Sequence, residues 1–329
     1  MRINAHPVFG MDNPLICGIY ILSIYAVGSE NSMIFTDNRN MNPFGSTVRI
    51  NVPAKDYTSF RIGGPMAYFA EPGSVEELSS LLSAAEKIGC PVYVIGNGSN
   101  LLISDKGVDA LFIRIGSNLA DYSINGTMLT ADAGALLSVV AKESVNAGLA
   151  GLEWASGIPG TVGGGVAMNA GAYGGEIKQV LHSVTFIRNG ELITKRVELD
   201  DLGYRKSTFA FPSAVVVSTE MELRPDDGGA RKRMLDYTAR RREKQPIEFP
   251  SAGSTFKRPA GNYAGALIEQ AGLKGTRIGG AMVSPKHAGF IVNVGNASFD
   301  DVAGLIELVK EKVFENSGIM LDPEVKIIR

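Results

Sequence analysis

The sequence predicts an α+β fold with more than one domain, and three observations carry that reading. Residues 66–95 alternate strand, amphipathic helix and strand, the pattern of a βαβ unit. Residues 183–197 hold an antiparallel hairpin signal. After Arg224-Pro225-Asp226-Asp227-Gly228-Gly229, which reads as a linker, the chain turns basic and helical. A chain of 329 residues has room for two or three domains. The boundaries fall at residues 47–225 for a first domain, in parts of about 47–116 and 117–225, and at 226–329 for a second.

Residues 1–46 precede the patterned region. Within them Leu15–Val27 (LICGIYILSIYAV) is apolar over 13 residues, too short to cross a bilayer. Its flank is weakly basic and no clear small-residue cleavage site follows. The segment reads as a poorly structured extension, with a signal peptide as the alternative. Met66–Glu71 then reads as a strand. Ser74 and Glu77 form an S-x-x-E capping signal, and Val75, Leu78, Leu81, Leu82, Ala85 and Ile88 keep helical spacing up to Gly89. Pro91–Ile95 is a short strand running into Gly96-Asn97-Gly98-Ser99-Asn100. Thr127–Asp132 reads as a strand leading through Gly134 to a helix near Leu136–Ala147, stopped by Gly148. Asn189-Gly190 predicts a tight hairpin turn between Ser183–Arg188 and Glu191–Val197. Ala214–Thr219 reads as a buried strand. Helices are expected at 231–246, at Tyr263–Ala271 and at Asp300–Asn316, the last between Ser298 and Gly318. A strand at Glu324–Ile328 ends the chain and could return to the first domain.

Composition narrows the function. The formal net charge of −2 gives no reason to expect nucleic acid, and 45% hydrophobic with 20% charged residues is ordinary for a soluble globular protein. Two cysteines and three histidines, without ligand spacing, argue against a metal site and a disulfide scaffold.

Two glycine-rich segments carry the chemistry. GIPGTVGGGVAMNAGAYGG (Gly157–Gly175) has eight glycines in 19 residues. Each interior glycine costs a helix roughly 0.5–1 kcal/mol against alanine, so the run reads as a loop. It lets the backbone approach a flat or anionic ligand, with amides turned inward as a nest. GNGSN sits at the carboxyl end of a strand, where α/β sheets bind ligands, and its amides and amide side chains suit a pyrophosphate. Leu101 stands where a dinucleotide fingerprint would need a third glycine, so the motif is not that one.

Three further segments join these: Gly203-Tyr204-Arg205-Lys206-Ser207, PSAGSTFKRP (Pro250–Pro259) and LDPEV (Leu321–Val325). With YTSFRIGG (Tyr57–Gly64), VIGNGSNLLISD (Val94–Asp105), KQP (Lys244–Pro246) and GAMVSPKHAGFIVN (Gly280–Asn293), the chain from about residue 47 resembles the UDP-N-acetylenolpyruvoylglucosamine reductase (UDP-N-acetylmuramate dehydrogenase) family of peptidoglycan precursor synthesis. The resemblance implies a two-part FAD-binding domain of the PCMH/vanillyl-alcohol-oxidase type, a C-terminal α+β substrate-binding domain, non-covalent FAD, NADPH as co-substrate and a nucleotide-sugar substrate. The chain is expected to be a cytoplasmic monomer with no nucleic-acid or membrane partner.

By the same resemblance Ser254 donates a proton, while Arg205 and Glu324 stabilise an enolate. Gly96, Asn97, Gly98, Ser99, Asn100, Leu101, Gly134, Gly157, Ile158, Pro159, Gly160, Thr161, Gly163, Gly164, Ala167, Asn169, Gly171 and Ala172 hold the flavin. Tyr204, Lys244, Lys257 and His287 meet the substrate. The chemistry agrees: reducing an enol ether conjugated to a carboxylate needs a hydride on one carbon, a proton on its neighbour and a cation on the developing charge. Glu324 is expected protonated or hydrogen-bonded, since a bare carboxylate beside an enolate is repulsive. Arg231, Lys232 and Arg233 read as a solvated face. Arg258 departs from the asparagine common in the family's FKNP segment, and the short Phe209–Ala214 link places the chain in the shorter branch lacking an extra tyrosine loop. Other FAD oxidases of the superfamily and a catalytically dead nucleotide-sugar binder are the competing classes. No histidine or cysteine lies in either glycine segment, which speaks against tethered flavin, and nothing in the residues chooses NADPH over NADH.

Overall fold

The computed structural model describes residues 42–329, so the extension and signal-peptide expectations for residues 1–41 lie outside the described residues. The expected extension does not reach residue 46 unstructured. Asn42 accepts from the Phe44 N–H and donates to the Gly45 carbonyl, and Phe44 packs edge-on against Tyr68.

The βαβ unit forms as expected. Strands Pro65–Ala70 and Val92–Ile95 flank helix α1 (Val75–Ile88), but they do not pair with each other. Strand Val108–Arg114, which the pattern reading missed, lies between them and is parallel to both; Arg49–Pro53 adds an antiparallel edge. Alternation explains the layering, since successive residues of a strand face opposite sides. Leu111 and Ile113 face the α1 side and the rest of the first domain, whereas Ala110 and Phe112 join Met66, Phe69 and Ile328 in a second core. Ser74 accepts from the Glu77 N–H to cap α1. The reciprocal half of the capping box is absent, because Glu77 accepts from the Gly73 N–H instead. Gly89 ends the helix with a left-handed φ of 68°.

The second sheet is antiparallel throughout: Glu191–Arg196, Leu181–Arg188, Val215–Glu222, Met128–Asp132 and Tyr122–Asn125, in that order. Its hairpin turns at Asn189 and Gly190, both with positive φ, as the sequence required. Helix α2 (Leu137–Asn146) packs beside it. The glycine run is not all loop: Thr161 caps a short helix, α3 (Val162–Ala167), through the Gly164 N–H. Burial of Val162, Gly165 and Val166 offsets the glycine penalty, with Gly165 leaving room for Leu137 and Ile177. The supposed linker is also partly ordered. Arg224–Pro225 pairs with Leu149–Ala150, and Asp226 accepts from the Gly229 and Ala230 N–H groups at the start of helix α4 (Ala230–Lys244).

The C-terminal part packs helices α5 (Ala264–Gln270) and α6 (Phe299–Ser317) on a three-stranded antiparallel meander, residues 277–293, which the sequence reading did not place. Its core includes Phe60, Ile62 and Leu102 from the first domain. The last strand, Lys326–Ile328, pairs in parallel with Leu101–Ile103, directly after GNGSN. That pairing seats the chain's end beside the first glycine loop. Among the described residues, no helix is long and apolar enough to cross a membrane.

Candidate active site

The two glycine segments meet. Asn97 Nδ2 donates to the Pro159 carbonyl at 2.7 Å, and a Cβ on Gly96 would run into Thr161 Oγ1. Gly98 has φ 60° and lies so close to the Tyr57 carbonyl that no side chain fits. Among the described residues, the N–H groups of Gly96 through Asn100 find no acceptor. A row of unpaired amides at the carboxyl end of Val92–Ile95 is a cradle for an anion, so the donor set fits a dinucleotide's diphosphate.

Other glycines serve the protein itself. A Cβ on Gly134 would strike the Gly116 carbonyl, and one on Gly163 would meet the Ala133 Cβ at 2.8 Å, whereas Gly164 faces open space with only Thr161 Oγ1 nearby. The amides of Val162 and Gly163 are also used internally, donating to the Ala135 and Ala133 carbonyls. Asn169, 1% exposed, spends its side chain on Glu176, on the Lys178 N–H and on the Gly203 carbonyl. It thereby holds the hairpin that carries Arg205.

That hairpin turns at Tyr204-Arg205 between Leu202–Gly203 and Lys206–Ser207, with Arg205 at φ 55°, a costly conformation for a non-glycine residue. The Arg205 Nε donates to Glu324 Oε1 at 2.6 Å; the side chains are 18% and 13% exposed. Burial pushes the Glu324 carboxyl above the usual carboxylate range, opposed by Arg205 beside it. Backbone pairing brings Ser254 to the same place. Thr255 donates to the Gly289 carbonyl and accepts from the Glu324 N–H, and Lys257 donates to the Asp322 carbonyl. The Asn100 Nδ2 donates to the Glu324 carbonyl at 3.1 Å, tying the first glycine loop to the acidic residue.

A cavity of about 690 Å³ opens between these segments. Arg205, Ser254, Glu324, Tyr204, Lys244, His287, Gly171 and Ala172 all line it. Lys257 does not; its ammonium is held by Asp322 at 2.6 Å. The His287 Nδ1 accepts from the Gly289 N–H and burial lowers its pKa, so the ring is neutral and carries its proton on Nε2. Arg258, the departure from the family pattern, lays its guanidinium over Tyr263, 4.0 Å from the ring centre, while its N–H donates to Tyr204 Oη at 2.9 Å. Both Arg258 and Tyr263 line the cavity, and sequence reasoning had not placed Tyr263 there.

Residues 66–195 match an FAD-binding domain family, and residues 245–328 match the C-terminal domain of UDP-N-acetylenolpyruvoylglucosamine reductase. The enzyme of that name from Syntrophomonas wolfei is 47% identical over 85% of this chain and 95% of its own length. Those from Agathobacter rectalis and Clostridioides difficile are 48% and 44% identical over 92% and 93% of their lengths and 84% and 85% of this chain. The crystal structure of the reductase from Thermus caldophilus superposes with a TM-score of 0.75 at 36% identity, covering 86% of this chain and all of that one. The chain belongs to the UDP-N-acetylenolpyruvoylglucosamine reductase family. It is an FAD-binding oxidoreductase of peptidoglycan synthesis, and the α+β class and the cofactor are those read from the sequence.

Arg233 is not on a solvated face. It forks onto Glu153, which is 4% exposed, and onto Asp227, fastening α4 over the turn that leads into the glycine run.

Proposed function

We propose that the chain reduces UDP-N-acetylglucosamine enolpyruvate to UDP-N-acetylmuramate with NADPH as reductant, in the cytoplasm, where nucleotide-sugar precursors are made. The observation that carries this reading is the convergence of Arg205, Glu324 and Ser254 on one cavity, joined through Asn100 to the amide cradle. Residues 47–225 hold the flavin, and residues 226–329 cover the nucleotide-sugar.

The bound flavin supplies the hydride; the chain's own residues do the rest. The Arg205 guanidinium, presented on a strained turn and half-buried, lies where it can pair with the substrate carboxylate and with negative charge as it develops. Glu324, with its carboxyl pushed toward the protonated form, keeps that charge from meeting a second anion. The Ser254 hydroxyl delivers a proton to the carbon beside the one reduced, and a strongly basic carbanion makes so weak an acid sufficient. Lys244, on the cavity wall, brings a cation suited to a phosphate, and the neutral His287 offers an Nε2 donor.

An absorption spectrum before and after acid precipitation, followed by NADPH oxidation with and without the enolpyruvyl nucleotide-sugar, tests the reading. Yellow colour released to the supernatant and oxidation coupled to substrate reduction are expected. A colourless protein, or NADPH oxidation indifferent to that substrate, overturns it.

A further inference from the structure

We propose that Ser59 is a positioning residue for proton delivery: its hydroxyl holds the segment that carries Ser254, and its backbone N–H holds the amide cradle. Thr58–Ile62 is a tight turn, with the Arg61 N–H donating to the Thr58 carbonyl, Thr58 Oγ1 donating to the Ile62 carbonyl and Arg61 at φ 56°. Phe60 and Ile62, from the first domain, are sunk in the C-terminal core, so burial anchors the turn there. Ser59, half-buried between them, meets two other segments at once. Its N–H donates to the Gly98 carbonyl at 3.1 Å. Its one hydroxyl proton has two carbonyls in reach, that of Ser251, 192 residues away, at 2.6 Å and that of Gly98 at 3.5 Å, and the shorter contact takes it.

Both bonds bear on the site. In a trans peptide the carbonyl and the following N–H point opposite ways. Fixing the Gly98 carbonyl on Ser59 therefore turns the Ser99 N–H, one of the unpaired cradle donors, to the other side. Ser251 lies three residues before Ser254. Asn293 makes a second tie to the same place: its N–H donates to the Pro250 carbonyl, and its Nδ2 to the Phe60 carbonyl at 3.2 Å. Beyond Ser254, Thr255 is fixed by the Gly289 carbonyl and the Ile291 N–H. Between these anchors residues 252–254 form no hydrogen bond among the described residues, and Gly253, at a left-handed φ of 77°, adds little stiffness. The direction in which Ser254 enters the cavity is thus set by its anchors, and Ser59 is the anchor that also touches the cradle. Asn100 plays the matching part for Glu324, through its Nδ2 bond to that residue's carbonyl. Both catalytic segments are braced from the cradle.

The inference rests on the proton-donor role given to Ser254 in the proposed function, and the test keeps the two apart. Flavin reduction by NADPH and flavin reoxidation by the enolpyruvyl nucleotide-sugar are followed separately, by stopped-flow absorbance, in Ser59→Ala, Ser59→Thr, Ser254→Ala and the Ser59→Ala/Ser254→Ala double variant. Ser59→Ala keeps the N–H on Gly98, so flavin content and the first half-reaction are expected within about twofold of the parent. Reoxidation is expected to slow about tenfold, since misplacing a reacting group by about 1 Å can cost about 10²-fold. Its solvent deuterium isotope effect rises, and the nucleotide-sugar concentration at half-saturation stays near the parent's. Ser59→Thr, which keeps the hydroxyl, restores the rate. In the Ser254→Ala background the Ser59 substitution adds nothing, because no proton donor is left to place. In flavin-free Ser59→Ala, hydrogen exchange over residues 250–256 quickens while that over Gly96–Asn100 holds. Equal slowing of both half-reactions, a loss in Ser59→Thr as large as in Ser59→Ala, or losses that multiply in the double variant overturn the proposal. A parent-like Ser59→Ala beside a crippled Ser254→Ala overturns it alone; a parent-like Ser254→Ala removes the proton-donor reading and this one with it. Should Ser59→Ala fail to fold, Ser59→Cys, whose thiol is a weaker donor, makes the same comparison.

Discussion

The amide cradle and the catalytic cluster sit side by side and are built in opposite ways. The cradle, Gly96–Asn100 against Pro159–Thr161, is made of main chain, and its residues are glycine wherever a carbonyl or hydroxyl passes too close for a Cβ. The cluster is made of side chains. Arg205 comes from a two-residue turn, Ser254 from the irregular segment after Pro250, and Glu324 from near the chain's end, 119 residues beyond its arginine partner. A backbone site tolerates no added atoms; a side-chain site tolerates no lost ones. The variants that separate the two regions follow from that contrast.

Ser254→Ala should have the largest effect. It removes the proton donor, a loss of about 10²–10⁴ in turnover of the enolpyruvyl substrate, while flavin content and flavin reduction by NADPH stay near the parent values in stopped-flow absorbance. A variant within twofold of the parent removes the serine from the mechanism. Arg205→Ala and Glu324→Ala should each cost about 10²–10³. Groups acting on one charge give non-additive losses, so the double variant should be little worse than the poorer single, and multiplying losses mean the two act separately. Because the Glu324 pKa is raised, its proton persists above the usual carboxylate range and is lost as pH rises through the shifted value. The rate of substrate reduction should fall over that limb, and Glu324→Gln should flatten it.

The cradle answers to added atoms. Gly98→Ala, at φ 60° against the Tyr57 carbonyl, should lower both the melting temperature and the flavin-to-protein absorbance ratio. Gly163→Val and Gly164→Val should part company. The first collides with Ala133 and destabilises the flavin-free protein; the second has open space in the protein and shows itself only as lost flavin. Equal melting temperatures for the two flavin-free variants would erase the distinction.

The smallest effect belongs to the far side of the C-terminal part. Ser298 caps α6 by accepting from the Asp301 N–H, and Ser298→Ala should cost about 1 kcal/mol of stability with no change in flavin content or turnover. Asp301 accepts from the Ser298 and Gly280 N–H groups, which hold its carboxyl below the usual range. Its stabilisation is therefore present above the unfolded pKa and is lost as pH falls through the folded value, so the gap between parent and Asp301→Asn should close in acid.

Much of this was legible in the residues, for local reasons. The caps at Ser74 and Ser298, the left-handed stops at Gly89 and Gly318, and the Asn189-Gly190 turn rest on sterics and hydrogen bonds within a few residues. The same holds for the two glycine segments and the short motifs that carry Arg205, Ser254 and Glu324. Three things were decided elsewhere in the molecule. Strand Val108–Arg114 takes the centre of the first sheet because packing on both faces rewards an apolar run that has no period of its own to announce it. The glycine run yields a helix because burial of Val162 and Val166 outweighs its propensity. Arg233 and Arg241, two turns apart in one basic stretch, receive opposite situations: one is matched by a buried glutamate, the other is laid on a glycine with no counter-charge among the described residues. Local sequence sets which backbone shapes are cheap. Which charge meets a partner depends on residues brought close only when the chain has packed.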